Sequence, residues 1–395
     1  MNSILCFLFV LCLYPAYSLA SNELNGHVKS FNLYQQSLQD QESDIWLSAN
    51  SLRLDLTGEV FNSPLAWQLS LEQLVLYHDP KGIVSLPDWG VNRITDLSWN
   101  GDEQNSLSWQ LQADRLSLQW DRDDTVFTIG RQGIGFGRIS LFSPLDIIAP
   151  FSPASLDTDV RPGVDALRAR YFFNIIGEAG GTLVFSDEVE KSSALIDVTF
   201  NFGQMDVLMI GGQLRNRPMV GFGLAGQLGS AGWKGEWSGY RGSNVGSVAG
   251  DLYDKFSIAG VELEYRFYFD LNLQVQYLYN GAGSRYVNEY PLVAQSAPLS
   301  EGLSFLYGKD YLLTGLSRDL TPLIRLSGLL IFNLNDDSWL FRPQLNLSLA
   351  DNVSLELLWN ITHGDGPLLL AGQPVIQSEY GAVGESGGVL LKYYF

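Results

Sequence analysis

The dominant pattern along the chain is an alternation of apolar and polar residues with a period of two, and few segments repeat at the helical period. From Val353 to Ile361 nearly every second residue is apolar, while Ser354, Glu356 and Asn360 lie on the other face. Residues 196–202, 261–267, 271–280 and 341–347 alternate in the same way. The pattern predicts β-strands with one apolar and one polar face.

Strand length and the placement of aromatic residues favour a membrane barrel over a soluble sandwich. The alternating segments run to about ten residues, the length of a tilted membrane-spanning strand, whereas soluble strands usually have about five or six. Tryptophan and tyrosine gather near the ends of the apolar faces, as at Tyr277, Trp359 and Tyr393, where outer-membrane barrels carry aromatic girdles. The sequence therefore predicts an all-β fold, a transmembrane antiparallel up-and-down β-barrel.

The predicted connections alternate between short turns and long loops. Short turns fall at 59–64, 121–124, 174–177, 201–204, 229–232, 269–270, 318–322 and 349–352, and the longest loops fall at 79–105, 133–163, 241–255, 281–308 and 363–384. Bacterial outer-membrane barrels have this layout, with short turns in the periplasm and long loops outside the cell. It predicts about 18 strands, or sixteen if the glycine-rich ninth to eleventh segments do not form regular strands.

The last residues, GVLLKYYF, alternate strictly up to Phe395. In a bilayer every backbone donor and acceptor must pair, so the last strand is expected to close the barrel against the first, which begins near Asn25. Tyr393 and Phe395 are similar to the C-terminal signal by which outer-membrane barrels are recognised for insertion, which makes the barrel-assembly machinery a predicted partner.

The N-terminal residues resemble a secretory signal. The apolar run Ile4–Tyr17 precedes Ser18-Leu19-Ala20, a small-x-small cleavage pattern. A membrane anchor is the alternative, but the run is shorter than the roughly 20 residues of a spanning helix. We predict a signal peptide at 1–20 and a single barrel domain at 21–395. Cys6 and Cys12 are the only cysteines, so the predicted mature chain has no disulfide.

The acidic composition limits the classes of partner. A formal net charge of −19 argues against nucleic acid, because a polyanion is repelled by such a chain. The expected partners are outer-membrane lipid, lipopolysaccharide and small solutes, and homo-oligomerisation stays open. No constellation predicts a cofactor or a specific metal site, and contacts of Ca²⁺ or Mg²⁺ with the acidic loops stay open.

The loop at 133–163, between the predicted strands Thr125–Gln132 and 164–173, has an unusual composition. It carries four prolines and, between Ile134 and Phe151, nine large apolar residues, and such an apolar loop does not normally stand in water. Loops of this length are usually functional. We expect it to fold into the barrel and narrow the lumen, since an 18-stranded barrel encloses a water-filled space. The alternative is a lid or subunit contact at the rim.

This region resembles a family of largely uncharacterised porin-like outer-membrane barrels of Gram-negative bacteria. The resemblance is carried by Gly130-Arg131-Gln132, Phe136-Gly137-Arg138, Ser143-Pro144-Leu145-Asp146, Pro150-Phe151-Ser152-Pro153 and the stretch from Arg161 to Arg168. That family usually has Trp-Gly and Asn-Pro where this chain has Phe136-Gly137 and Ser143-Pro144. The resemblance implies an outer-membrane channel-like protein, and it names no substrate. General diffusion porins also place their constriction loop after strand five, so the position agrees.

Charged residues on the polar faces and in this loop are the candidate lumen and constriction residues. They are Arg131, Arg138, Asp146, Asp157, Asp159, Arg161, Asp165, Arg168, Arg170, Arg325 and Arg342. Opposed acidic and basic groups would set a transverse field that selects solutes by charge. The alternative is that these charges pair with each other and pin the loop to the wall.

Three classes of function fit the sequence to different degrees. A porin-like channel for passive or selective diffusion of small solutes fits best. A non-conducting barrel, acting as an anchor or as a partner of an envelope or export complex, is the alternative. A barrel enzyme fits poorly, because His78-Asp79 and His363-Gly364-Asp365 are weak motifs that are common in solvated loops. We therefore predict no enzymatic activity.

Overall fold

Long antiparallel strands, each paired with its neighbours in sequence, close into a barrel. The structure is a computed structural model, and it describes residues 22–38, 43–60, 63–80, 90–101, 106–152, 157–174, 177–247, 249–370 and 373–395. The predicted signal peptide and both cysteines lie outside the described residues. The sheet has nineteen strands; the short segment Ser98–Gly101, paired with only one barrel strand, is the additional one. The prediction of 18 barrel strands, rather than sixteen, is confirmed.

The barrel strands, numbered along the chain, are β1 (Glu23–Gln35), β2 (Ile45–Glu59), β3 (Leu65–Asp79), β4 (Leu107–Arg122), β5 (Thr125–Gln132), β6 (Val164–Asn174), β7 (Gly177–Val184), β8 (Ser193–Phe202), β9 (Met205–Leu214), β10 (Arg217–Leu228), β11 (Ala231–Arg241), β12 (Lys255–Arg266), β13 (Leu271–Asn280), β14 (Asp310–Thr321), β15 (Ile324–Asn333), β16 (Trp339–Ala350), β17 (Val353–His363) and β18 (Ser386–Tyr394). The loops add a two-stranded hairpin (Leu368–Leu370 and Gln373–Val375), two short helices, α1 (Tyr290–Ala294) and α2 (Ala297–Ser300), and 3₁₀ turns at Gly90–Asn92, Val189–Lys191 and Val287–Glu289.

The first and last strands form the seam that closes the barrel. The register pairs His27 with Tyr394 and Gln35 with Ser386. Gly26 N donates to the Phe395 carbonyl at 2.9 Å, and Phe395 N donates back to the Gly26 carbonyl at 3.0 Å. The predicted closure is confirmed, and the terminal aromatic residue belongs to the paired edge.

The two ends of the barrel differ as the alternation of connections predicts. One end carries the eight short turns, which we call the short-turn end, and the other carries the long loops and is called the long-loop end. Asp123 and Asp270 adopt positive φ, 52° and 59°, in two of the short turns. Aspartate tolerates this left-handed conformation better than most residues do. Among the described residues, no helix is long and apolar enough to cross a membrane.

The outer face of the barrel is apolar. Ile196, Val220 and Val261 are exposed by 70%, 58% and 55%, and similar residues recur at alternate positions on most strands. Such a belt is stable against lipid and unfavourable against water. The segments predicted to face lipid from their alternation, including the even positions of 196–202 and the odd positions of 389–395, do face outward.

The inner face departs from the expected polar lining over part of its area. On β9 to β16, inward residues of the long-loop half are apolar and buried, among them Ile210, Ile258, Leu313 and Ile331. They form one core with apolar residues of the loops that cover them. The inner wall of these strands is therefore largely apolar in the half that the loops cover.

Candidate functional site

The loop at 133–163 leaves the wall between β5 and β6 and contacts the inner faces of β11, β12 and β13. These strands lie several positions away around the sheet, so the loop crosses the lumen. The predicted infolding is confirmed, and the alternative of a rim lid is not what the structure shows. Within its described parts, 133–152 and 157–163, the loop has no helix or strand of its own.

A buried carboxylate on β11 holds the tip of the loop. Glu236 is 3% exposed, and its Oε1 accepts hydrogen bonds from Arg138 N at 2.6 Å and Ile139 N at 2.9 Å. Its Oε2 accepts from the Ser143 hydroxyl and from Leu145 N at 3.2 Å. Hydrogen bonds to an ionised acceptor are shorter and stronger than neutral ones, so Glu236 is the principal anchor of this segment.

The next two strands extend the same arrangement. Glu262 Oε2 accepts from Ser140 N at 3.0 Å and from Leu141 N at 3.3 Å. Gln276 pairs with both backbone groups of Phe142, accepting from its N–H at 3.0 Å and donating to its carbonyl at 2.6 Å. Backbone groups that would otherwise be unpaired inside the barrel are thus satisfied by wall side chains.

Glycines on the inner wall make room for the loop. A Cβ added at Gly221 would lie 2.6 Å from Leu145 Cδ2, and one at Gly223 would lie 3.0 Å from Leu145 Cδ1. On β12, a Cβ at Gly260 would lie 3.1 Å from Ile139 Cδ1. Glycine within a strand often marks such a close approach, and here it lets the apolar side of the loop lie flat on the wall.

The end of the loop that joins β6 is anchored on the opposite wall by a buried charge cluster. Asp114 of β4 is 2% exposed. Its carboxylate accepts from Arg53 at 2.8 Å, Arg115 at 2.6 Å, Arg93 at 3.1 Å and the backbone N of Gly163 at 2.8 Å. Burying a carboxylate away from water costs free energy, and the attraction of all three guanidinium groups is needed to offset that cost.

Four of the predicted constriction residues form two ion pairs. Arg131 is 2% exposed, and its guanidinium donates two hydrogen bonds, of 2.7 and 3.0 Å, to the Asp165 carboxylate. Arg161 pairs with Asp146 at 2.6 Å. Burial raises the pKa of Asp146 to about 6, although Arg161 opposes the shift. Both pairs fasten the loop to itself or to its own strands, as the alternative interpretation predicted.

Two more predicted residues tie the loop to the seam of the barrel. Asp157 accepts from Lys29 at 2.6 Å, and Asp159 accepts from Lys29 at 2.9 Å, Lys392 at 3.0 Å and the Tyr394 hydroxyl at 2.7 Å. Burial acts to raise the pKa of Asp159, but the hydrogen bonds from Lys29, Tyr394 and Lys392 outweigh it and lower the pKa. This acid therefore stays ionised at neutral pH.

The remaining loop and β6 arginines differ in their pairing. Arg138 lies 3.5 Å from Asp206 and is partly exposed. Arg168 stacks over the Phe136 ring at 5.8 Å. It has no ion pair with any described residue, and its buried Nε has no hydrogen-bond partner there. Arg170, by contrast, pairs with two acids, Glu178 of β7 and Asp197 of β8.

The lumen that the loop leaves open lies against β12 to β18. A polar cavity of about 420 Å³ remains between the loop and these strands. Its charged lining residues are Asp159, Glu264, Arg325, Arg342, Glu356 and Lys392. Asp159, Arg325 and Arg342 are the predicted constriction and lumen residues that line this cavity. Lys392 pairs with Glu356 at 2.8 Å, whereas Glu264 and Arg325 are about half exposed.

Sequence reasoning missed several anchoring residues. Glu236 lies in the weakly patterned stretch WKGEWSGY, and its only signal is a charge on a glycine-rich strand. Lys29 and Lys392 lie on the polar faces of β1 and β18, where closure of the barrel brings them together. The closure of β18 against β1 was predicted but its register was not, so the sequence did not show that the two lysines meet.

The other long loops cover the mouth at the long-loop end. Glu379, in the loop after β17, accepts hydrogen bonds from Tyr307 N at 3.0 Å, from Asn333 at 2.8 Å and from the Tyr311 hydroxyl. Burial raises the pKa of Glu379 to about 7, against the effect of these hydrogen bonds. This carboxyl joins the loop at 281–309 to the loop at 364–385.

The histidines weighed as enzyme candidates occupy structural positions. His78 is fully buried, with Nδ1 3.0 Å from the Pro80 carbonyl oxygen, and His363 stacks on Trp339 at 5.3 Å. No group of three or more His, Cys, Asp or Glu residues in the described ranges is arranged to hold a metal ion.

Solved structures with the same architecture identify the fold. The chain matches OccAB4 and OccAB1 of Acinetobacter baumannii, each at 10% identity, with TM-scores of 0.58 and 0.59. It matches a BenF-like porin from Pseudomonas fluorescens Pf-5 at 9% identity and a TM-score of 0.60. Each match covers 95% of this chain and 98%, 96% and 99%, respectively, of the other. The fold is that of an outer-membrane porin. No protein-family model and no curated protein matches the sequence.

Proposed function

We propose that this chain is an outer-membrane channel for the passive diffusion of small polar solutes. The observation that carries the proposal is the loop held across the lumen, which leaves a polar cavity of about 420 Å³ beside it. The apolar outer belt requires a lipid surround, and the architecture shared with porins supports the outer membrane as its location. The long-loop end would then face the outside of the cell.

Both signs of charge line the passage, so selectivity would depend on which of them is free. Lys392 is paired with both Asp159 and Glu356. Arg325 is half exposed and only 3.9 Å from an equally exposed Asp319. We therefore propose that Arg325 of β15 sets the preference of the channel among charged solutes.

Single-channel conductance in a planar bilayer tests the proposal. The mature chain is compared with a variant in which residues 135–161 are replaced by a short Gly-Ser turn. The native protein should conduct, and the variant should conduct more. If both fold as barrels and neither conducts, the channel proposal fails.

Selectivity is tested with a charge reversal in the passage. Arg325→Glu should move the reversal potential in a salt gradient towards cation preference. The matched control is Arg122→Glu at the short-turn end, where the arginine is 69% exposed. It should leave the reversal potential close to that of the native protein, because water and salt screen it.

One observation favours the second candidate, a non-conducting barrel that anchors or docks an envelope complex. The loops at 133–163, 281–309 and 364–385 share an apolar core inside the mouth, as a plug would. Folded protein that does not conduct even after the loop replacement would support this function.

The processing and insertion of the chain complete the proposal. We propose cleavage after Ala20, leaving 21–395 as one barrel domain, and recognition of Tyr393 and Phe395 by the barrel-assembly machinery. N-terminal sequencing of protein taken from outer membranes tests the cleavage. Deletion of Phe395 should lower the amount of assembled barrel.

A further inference from the structure

A depression on the outer surface of the barrel lies near the long-loop end, away from the lumen. It has a volume of about 870 Å³ and is lined by residues of β10 to β13 and the adjoining loops. Gly239 of β11 lies opposite Val220 of β10 and Ser257 of β12 in the sheet register. A Cβ added at Gly239 would lie 2.5 Å from Trp237 Cη2, so the Trp237 ring lies over Gly239, and the small Ser257 side chain lines the depression beside it.

Aromatic rings border the depression on the side towards the middle of the barrel. Trp237 and Tyr279 line it, and both flank Ala259 in the sheet register. Trp237 also packs against Phe222 with ring centroids 5.6 Å apart. The part of the depression nearer the middle of the barrel is therefore an apolar surface suited to a hydrocarbon chain.

Three cations line the same depression on the side towards the loops. Arg241 and Lys255 are direct partners in the β11–β12 register, a pairing of like charges that is unfavourable by itself. Lys309 lies over the Tyr253 ring at 4.4 Å. Within the described chain, none of the three side chains forms an ion pair or a hydrogen bond.

The lack of partners is unexpected in so acidic a protein. The chain has 43 acidic and 24 basic residues, and most lumenal arginines find a carboxylate. Close to the depression, Asp251 pairs with Arg217 and Asp310 pairs with Arg285. Asp254, next to Lys255 in sequence, forms no ion pair with it in the described structure. Three cations that line one depression without an ion pair or a side-chain hydrogen bond favour binding of an external anion.

We propose that this depression binds a phosphorylated acyl lipid of the outer leaflet, of the lipopolysaccharide class. Arg241, Lys255 and Lys309 would hold a phosphate, and an acyl chain would lie against the Trp237 ring and over Ser257. The cations lie towards the long-loop end and the aromatic rings lie towards the middle of the barrel. This is the order of headgroup and hydrocarbon in a membrane. The proposal rests on the outer-membrane location and on the long-loop end facing outward, but not on conduction.

Native mass spectrometry of the mature chain in detergent tests the site with a deep-rough lipopolysaccharide as the probe. The triple variant R241A/K255A/K309A should bind it at least about tenfold more weakly, because it loses three charged contacts. The matched control R122A/R266A/R318A removes three cations near the short-turn end and should bind like the native protein. Ser257→Phe fills the depression beside the Trp237 ring, keeps the cations and should also weaken binding.

The chemistry of the probe distinguishes lipid from a soluble anion. The same lipid with its phosphates removed should bind the native protein weakly, and inorganic pyrophosphate should not displace the intact lipid at equal concentration. Equal binding by the triple variant and the native protein would overturn the proposal, as would equal binding of the dephosphorylated lipid. The proposal would also be overturned if the depression were an interface between two copies of the chain. In that case the native protein would form an oligomer and the triple variant would not.

Conductance measured on the same samples keeps this proposal separate from the channel. The triple variant should conduct like the native protein, because its altered residues lie outside the lumen. Loss of lipid binding with unchanged conductance supports the site, and absence of conductance in every sample bears only on the channel.

Discussion

Removal of the Glu236 carboxylate should release the tip of the constriction loop. Glu236→Ala deletes the acceptor of three backbone N–H groups and of the Ser143 hydroxyl. A hydrogen bond to a charged group contributes about 1.5–3 kcal/mol, so four of them amount to roughly 6 kcal/mol or more before any relaxation. Water in the lumen can rehydrate the freed groups, which lowers the expected loss to about 3 kcal/mol. A loss of that size shifts the ratio of docked to undocked loop by about two orders of magnitude.

Single-channel recording measures this loosening directly. The Glu236→Ala channel should show a larger mean conductance and stronger open-channel noise than the native channel, because the tip at 138–145 then moves in the passage. Glu236→Gln should lie between the two, since an amide oxygen replaces only part of the acceptor capacity. The anchors at Glu262 and Asp114 keep the loop attached, so the effect should be smaller than that of loop replacement.

The matched control is Glu264→Ala. Glu264 lies on the neighbouring strand β12 and lines the same cavity, but it is about half exposed and accepts no hydrogen bond from a described loop residue. Removal of the Glu264 carboxylate should alter the preference of the channel between anions and cations and leave the open-channel noise unchanged. If Glu236→Ala folds and has native conductance and noise, the carboxylate does not hold the loop and the reasoning is wrong.

Three further predictions follow from the same contacts. Gly221→Val should displace the loop and raise conductance, because a Cβ there lies 2.6 Å from Leu145. Burial raises the pKa of Glu379 to about 7 from an ordinary 4.5, so the packed loops bind its proton more tightly than the unpacked loops do. Their packing should strengthen as pH falls from about 7 towards 4.5 and stay level at its weakest above about 7, as hydrogen exchange of residues 373–385 would show. Asp114→Asn should destabilise the barrel by about 3–5 kcal/mol in urea unfolding, because three buried guanidinium groups lose their counter-charge.

Each of these predictions has a control or an outcome that contradicts it. Gly235→Val is the control for Gly221→Val, since a Cβ at Gly235 meets nothing within 4 Å. An equal rise in conductance in Gly235→Val would contradict the steric explanation. For the pH dependence, Glu379→Gln should remove the change near pH 7, and a change that persists belongs to another group. For Asp114→Asn, an unfolding midpoint equal to that of the native protein would show that the arginines find other partners.

The barrel could be predicted from the sequence because its two determinants are local. Alternation fixes which side chains face outward, and Ile196, Val261 and Leu391 do so. The alternation of short and long connections fixes the number and direction of strands. Closure then follows from the need to pair the edges of β1 and β18.

The loop contacts could be predicted only in part, because they depend on which surfaces meet. The apolar content of 133–163 indicated a buried loop, but not the wall that buries it. Ile210 and Ile258 face inward on strands whose outer faces are also apolar, so alternation is weak there and the docking wall carries no clear signal. Glu236 was missed for the same reason, since its role depends on an approach that Gly221 and Gly223 permit.

The docking of the loop also decides which charges remain to act on a solute. Its apolar side covers the apolar inner wall of β9 to β13 in the long-loop half, so the passage is displaced towards the polar wall of β12 to β18. The charges of the loop itself are mostly used in fixing it, as in the pairs Arg161–Asp146 and Asp159–Lys392. A loop held by its own charges cannot also present them to a solute without loosening. Selectivity is therefore expected to reside in the wall, at Arg325 and Glu264, and substitutions there should change ion preference without changing the width of the passage.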